Sequence, residues 1–199
     1  GALIEVYSED GSVLVRQGGV EMGQGLYTKI TQIAALVLGV PLSYIRVAET
    51  DTSVVPNPVS TGASTGSGFN GEAVRTAGTE LRERIEQYAL SLLPKHGAAW
   101  CKQNGVDYWN YSDGWATHLV DTHGKPRTNA DGSPQTPWQA IIKKANADRV
   151  NLSAQTRAAI GGGTGVVGVA DDNDGSPFTF KEGAAVEVVA LATPKHPGD

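Results

Sequence analysis

Apolar and polar residues alternate with two different periods along the first half of the chain. Residues 3–7 and 13–16 are short β-rich runs, joined by a loop that contains the Asp10-Gly11 pair typical of hairpins. A further short strand is predicted over residues 45–47. These segments predict a β-hairpin and one additional strand.

The apolar positions elsewhere follow helical spacing. They predict an amphipathic helix over 26–38, which Gly39 and Pro41 end. The same spacing continues from Ala73 to Pro94, with Asn70 as the N-cap of this second helix.

A third helix is predicted over 137–145, with its proline in the first turn, and residues 149–154 follow it as an extended segment. A β pattern resumes over 178–192. The fold class predicted is α+β, with mixed sheet segments and two to three amphipathic helices.

Two stretches of the chain are polar and lack long periodic segments. Residues 97–132 are rich in Trp, Tyr, Asn, Asp, His and Gly and predict an exposed surface excursion, with strand candidates only at 108–111 and 115–120. Residues 161–175 are rich in Gly and Asp and predict a mobile loop. Residues 1–199 are otherwise predicted to be part of one domain.

Composition and charge exclude several classes of protein. The net charge of −5 comes from dispersed residues and includes no polybasic patch, so neither nucleic acid nor an anionic membrane is an expected partner. No apolar run approaches the roughly 20 residues that a membrane span needs. The single cysteine, Cys101, cannot form an internal disulfide, which favours an intracellular location.

Two glycine-rich turns carry the candidate chemistry. Residues 18–25 and 61–68 each lead into a helical pattern, and such turns let backbone N–H groups approach an anionic or amide-rich ligand closely. Gln24, held between Gly23 and Gly25, can donate and accept hydrogen bonds together. The alternatives are a tight turn before a helix at 18–25 and a flexible linker at 61–68.

The residues of these turns resemble a known family. The pattern G-G-x-E-M-G-Q-G-L-x-T-K, followed by V-P-N, T-x-A-S and F-N-G, is similar to the molybdopterin-binding region of the xanthine dehydrogenase and aldehyde oxidase family, and most of all to xanthine dehydrogenase. The resemblance implies that Ala63, through its backbone, lies nearest the molybdenum. The cofactor-binding residues it implies are Gly23, Gln24, Gly25, Thr61, Gly62, Ala63, Ser64 and Thr65. Gly66 departs from the family, because close relatives often have a serine there that helps to hold the cofactor's phosphate.

The resemblance also implies what lies outside this chain. The chain begins and ends in strand-like segments and is expected to be a piece of a larger molybdenum hydroxylase, acting on purines, related heterocycles or aldehydes. The catalytic glutamate, the two-iron clusters and the FAD site are expected in the remaining domains. The complete enzyme is expected to be a homodimer in the cytoplasm or peroxisome, and this piece alone to be inactive.

A second interpretation is a stand-alone, non-enzymatic α+β binding or assembly module, in which the two glycine-rich turns diverge in space. Three other signals are interpreted as structural. The G-x-G-x-x-G pattern at 163–168 does not stand between a strand and a helix, and the acidic run 171–175 lacks the spacing of a calcium loop. The residues Cys101, His118 and His123 lack the ligand count of a zinc site.

Overall fold

A mixed β-sheet lies on one side of the described part of the chain. The computed structural model describes residues 1–107, 119, 121, 123–129 and 132–156. Within these residues the strands are β1 (Ala2–Val6), β2 (Val13–Gln17), β3 (Ile45–Val47) and β4 (Ser153–Thr156), in the order β3-β2-β1-β4. The predicted hairpin and short strand are confirmed, and β4 covers the end of the predicted extended segment.

The directions in which the strands pair determine where the loops after β2 and β3 lie. β1 is antiparallel to both β2 and β4, whereas β2 and β3 are parallel. Parallel neighbours need a crossover connection, which here is helix α1 (Leu26–Leu38). The carboxyl ends of β2 and β3 therefore lie at the same edge of the sheet.

Helices α1 and α2 (Gly66–His96) form the layer that packs on the sheet. Two glycines of α2 allow the close approach of α1: an added Cβ would lie 2.8 Å from Ile33 Cδ1 at Gly71 and 2.9 Å from Val37 Cγ1 at Gly78. The core between these elements is aliphatic. Its fully buried members include Ile4, Val15, Ile30, Leu38, Leu81 and Ile85.

The second helix begins earlier than the sequence predicts. Asn70 lies inside α2, where its Nδ2 donates to Gly66 O at 2.8 Å, so its prediction as the N-cap is wrong. Thr65 precedes the helix instead, and α2 continues past Pro94 to His96. Only two residues of α2 follow Pro94, so the helix ends within one turn of the proline.

Part of the predicted surface excursion is a helix. Helix α3 (Ala98–Asn104) packs Cys101 into the core together with Val106, and both side chains are buried. Although the range 97–132 is polar overall, the apolar side chain of Trp100 near its start also packs against the core, which lets this short helix pack there. The strand candidate at 108–111 and most of 115–120 lie outside the described residues, as do 161–175, 178–192 and the acidic run.

Helix α4 (Pro137–Ala147) confirms the third predicted helix. Thr136 and Gln139 form a capping box at its start. The buried Trp138 donates from Nε1 to Gly11 O at 2.7 Å, which ties α4 to the hairpin turn. The fold is α+β, as predicted, and no helix in the described ranges is both long and apolar enough to cross a bilayer.

Candidate functional site

The first glycine-rich turn leaves the carboxyl end of β2 and is held by the buried Gln17 and the half-buried Thr50. Gln17 forms two hydrogen bonds to Gly19, accepting from its N–H and donating to its carbonyl, the latter at 2.7 Å. The Thr50 hydroxyl, in the segment after β3, also donates to Gly19 O at 2.7 Å. A Cβ on Gly19 would lie 2.5 Å from Asn70 Nδ2 and 2.6 Å from Leu26 Cδ2. A side chain at position 19 would therefore force Asn70 and Leu26 to shift.

Glu21 caps the start of α1 from within the same turn. Its Oε1 accepts from the amides of Gly23 at 2.8 Å and Gly25 at 3.0 Å, and its Oε2 accepts from Tyr27 N at 2.9 Å. These amides, Tyr27 foremost, hold the pKa of Glu21 below its usual value of 4.5. The carboxylate is therefore charged at neutral pH and occupies the positive end of the α1 dipole.

Gln24 is exposed, with its amide folded against its own turn. Its Oε1 accepts from Met22 N, and its Nε2 donates to Val20 O at 2.8 Å. A primary amide has two donor hydrogens and two acceptor lone pairs. One donor and one acceptor position of Gln24 therefore remain for a ligand on the exposed side.

The second glycine-rich turn contains left-handed backbone at residues other than glycine. Ala63 has φ 51° and Ser64 has φ 60°, and both residues are exposed. Thr65 stabilises the turn through its amide and its hydroxyl, which donate to Gly62 O at 3.2 and 3.0 Å. Such strained backbone is concentrated at ligand sites and switch regions in proteins.

The two turns lie against each other. Val20 N donates to Thr61 Oγ1 at 2.9 Å, and Lys29 Nζ on α1 donates to Ser67 Oγ on α2 at 3.3 Å. The interpretation in which the turns diverge therefore fails. Both turns and both helix N-termini form one surface at the carboxyl edge of β2 and β3, which is where ligands bind in many sheets with crossover helices.

This surface offers space and hydrogen-bond donors. A Cβ added at Gly23, Gly25 or Gly62 would meet no atom within 4 Å. The first turn of α2 contains no acidic residue, and Thr65 makes no side-chain cap bond to it. Unlike the start of α1, the start of α2 therefore has no carboxylate cap from the residues that the structure describes.

The site combines backbone and side-chain amides and hydroxyls with one carboxylate, Glu21, and one ammonium group, Lys29. Across the described ranges, no group of three or more His, Cys, Asp and Glu side chains could hold a metal ion. The cavity beside Thr61, Thr65 and Phe69 has a volume of only about 60 Å³, whereas pockets for drug-sized ligands enclose roughly 300–1,000 Å³. The surface fits one face of a large polar ligand, and the remaining faces need other walls.

Comparison with known proteins shows the family. The family model described as molybdopterin cofactor-binding domain matches residues 1–194, and the chain belongs to this family. The resemblance found in the sequence is thus confirmed, and the donors of the site fit the cofactor for which the family is named.

Several relatives show how much of a longer protein the match covers. The chain is 57% identical over 88 residues to xanthine dehydrogenase of Emericella nidulans and 53% identical over 85 residues to aldehyde oxidase 3 of Mus musculus; these matches cover 44% and 43% of the chain. It is 39% identical over 154 residues, 77% of its length, to xanthine dehydrogenase of Drosophila pseudoobscura pseudoobscura. These matches cover only 6%, 6% and 8% of the three relatives.

Solved structures share the fold at low sequence identity. Reconstituted CO dehydrogenase from Oligotropha carboxidovorans superposes with a TM-score of 0.54 at 22% identity, and quinoline 2-oxidoreductase from Pseudomonas putida 86 with 0.51 at 24%. Each match covers 78% of this chain and 18% of the other.

Sequence reasoning missed three residues that shape the site. The role of Glu21 could have been predicted from the sequence, because acidic residues before a helix are favoured as caps. The roles of Gln17 and Thr50 could not have been predicted, since their hydrogen bonds to Gly19 depend on how β2 and the segment after β3 pack together.

Proposed function

We propose that this chain forms one wall of the molybdopterin site in a xanthine dehydrogenase-like molybdenum hydroxylase, which oxidatively hydroxylates purines or related heterocycles. The observation that carries the proposal is the direct contact of the two glycine-rich turns through Val20 N and Thr61 Oγ1. This contact brings the two turns close enough to bind the pterin and the phosphate of one cofactor molecule. Membership of the molybdopterin cofactor-binding family supports the same proposal.

In this proposal the first turn recognises the pterin. Gln24 presents its free donor and acceptor positions to the mixed hydrogen-bonding edge of the ring. Gly23 and Gly25 allow close approach, since no atom occupies the space where a Cβ would project. The bound molybdenum cofactor supplies the redox chemistry, and the residues of this chain bind and orient it.

The second turn binds the phosphate in this proposal. Thr61, Gly62, Ala63, Ser64 and Thr65 lead into the α2 N-terminus, whose dipole favours an anion. Ala63 is the residue whose backbone lies nearest the metal. Ser67 is the candidate to replace the hydroxyl that Gly66 lacks: its oxygen accepts from Lys29 Nζ, so its own O–H is free to donate, whereas the Thr65 hydroxyl donates to Gly62 O.

The remaining parts of the enzyme belong to the proposal as well. The catalytic glutamate, the two-iron clusters, the FAD site and the substrate pocket for a heterocycle or an aldehyde lie in other domains of one polypeptide. That polypeptide is a homodimer in the cytoplasm or peroxisome. The short coverage of the relatives, 6–8% of their length, supports this division.

Replacement of Gln24 tests the proposal in the complete enzyme. Gln24→Ala should lower the molybdenum content, because a desolvated pterin edge loses a paired amide worth about 1–3 kcal/mol. The control is Gln87→Ala on the exposed side of α2. Metal analysis of purified wild type and variants gives the measurement. Equal molybdenum content in the Gln24 variant and the wild type would refute the proposed site.

A further inference from the structure

Three backbone amides around the first turn share one carboxylate. Glu21 accepts from Gly23, Gly25 and Tyr27, at 2.8, 3.0 and 2.9 Å, so its side chain spans the turn and reaches the first residues of α1. Two of these amides belong to glycines with left-handed backbone, φ 95° at Gly23 and 77° at Gly25. Glycine has many alternative conformations, so an external restraint is needed to keep such a turn in one shape.

The charge of Glu21 also distinguishes the two helix N-termini of the site. The first turn of α1 contains no acidic residue of its own, and Glu21 from the preceding turn supplies the negative charge there. The first turn of α2 likewise contains no acidic residue, and the Thr65 side chain does not cap it. The negative charge at the start of α1 therefore comes from Glu21, and its attraction to the helix dipole adds to the hydrogen bond with Tyr27 N.

We propose that Glu21 is a positioning residue that fixes the turn at residues 23–25 before the cofactor binds. The inference rests on the proposed function, since it names how one wall of that site is prepared. Glu21 need not touch the cofactor. It acts through Gln24, which lies between two glycines that the carboxylate restrains and whose side chain is folded on the same turn.

The charge and the length of Glu21 are separately required in this arrangement. A glutamine would place an NH₂ group against one set of amide donors and would carry no charge for the helix dipole. An aspartate would keep the charge, but its shorter side chain would not reach the amides on both sides of the turn. Glu21→Gln and Glu21→Asp should therefore both weaken the restraint.

Hydrogen exchange on the cofactor-free form of the complete enzyme measures the restraint directly. The amides of Gly23, Gly25 and Tyr27 should exchange about tenfold faster or more in both variants. Peptides from β1 and α4 serve as internal references for folding, and Glu83→Gln, at an exposed position of α2, is the matched control. Molybdenum content after reconstitution with limiting cofactor should fall in the two Glu21 variants and not in the control.

The outcomes separate this inference from the proposed function. Faster exchange confined to residues 23–27, together with reduced molybdenum, supports the positioning role. Unchanged exchange, exchange raised equally in β1 and α4, or faster exchange with full molybdenum overturns it. The proposed function fails on a different result, namely full molybdenum in Gln24→Ala, whatever the Glu21 variants show.

Discussion

Gly19 is the most tightly enclosed residue of the first turn. Its missing Cβ makes room for Asn70 Nδ2 and Leu26 Cδ2, at 2.5 and 2.6 Å from where that atom would lie. Gly19→Ala should therefore lower the free energy of unfolding by about 1–3 kcal/mol through overpacking. Gly62→Ala is the control, because its added methyl group meets no atom within 4 Å. Urea denaturation of both variants checks the prediction, and equal losses of stability would contradict it.

The sequence predicts individual residues well only where a short motif carries them. The turn around Gln24 is predictable because its glycines and the helix after it are neighbours in the chain. The strained backbone at Ala63 and Ser64 is not predictable from local preference, since residues other than glycine rarely adopt positive φ. The bond from Val20 to Thr61 joins residues 41 positions apart, and only the folded chain brings them together.

Helix α1 shows when element boundaries follow from sequence, and α2 shows when they do not. The predicted span 26–38 matches α1 because glycines flank both of its ends, Gly25 and Gly39, each with left-handed backbone. The stretch that begins α2 looks like a linker, since glycine, serine and threonine dominate it. Contacts with α1, including Gly71 against Ile33, favour helix there despite low intrinsic propensity.

The contact between α2 and the end of α4 should depend on pH. Asp148 accepts from Lys144 Nζ at 2.7 and 2.8 Å and from the Tyr88 hydroxyl at 2.7 Å. The Lys144 bonds first, and then Tyr88, hold the pKa of Asp148 below its usual 3.8. Because the folded-state pKa is depressed, this stabilisation is present above about pH 4 and is lost as the pH falls through the folded-state pKa.

Asp148→Asn tests that dependence. The variant should be less stable than wild type at pH 7, and the difference between their free energies of unfolding should shrink below pH 4. Denaturation measured from pH 2 to pH 7 gives the comparison, with Glu83→Gln as an exposed control on α2. A difference that stays constant across this range would show that the charge of Asp148 contributes nothing to the contact.

In the described part of the chain, the cavity beside the second turn is small, about 60 Å³. The family, the α+β class and the approximate positions of three helices follow from the sequence, because each is encoded in local motifs and periodicity. The α3 helix and the burial of Cys101 do not, since the polar composition of 97–132 hides them. The size of the cavity also cannot be predicted from the sequence, because it depends on how distant segments pack against each other.

The small size of this cavity limits cofactor binding by the isolated chain. A cavity of about 60 Å³ cannot enclose a pterin cofactor, and affinity for a large ligand depends on several walls held in place beforehand. The purified 199-residue chain should therefore contain little or no molybdenum and should hydroxylate neither purines nor aldehydes. Metal analysis and turnover assays, run beside the complete enzyme under the same conditions, give the test. Stoichiometric molybdenum in the isolated chain would mean that this chain alone holds the cofactor and that the other domains contribute only to catalysis.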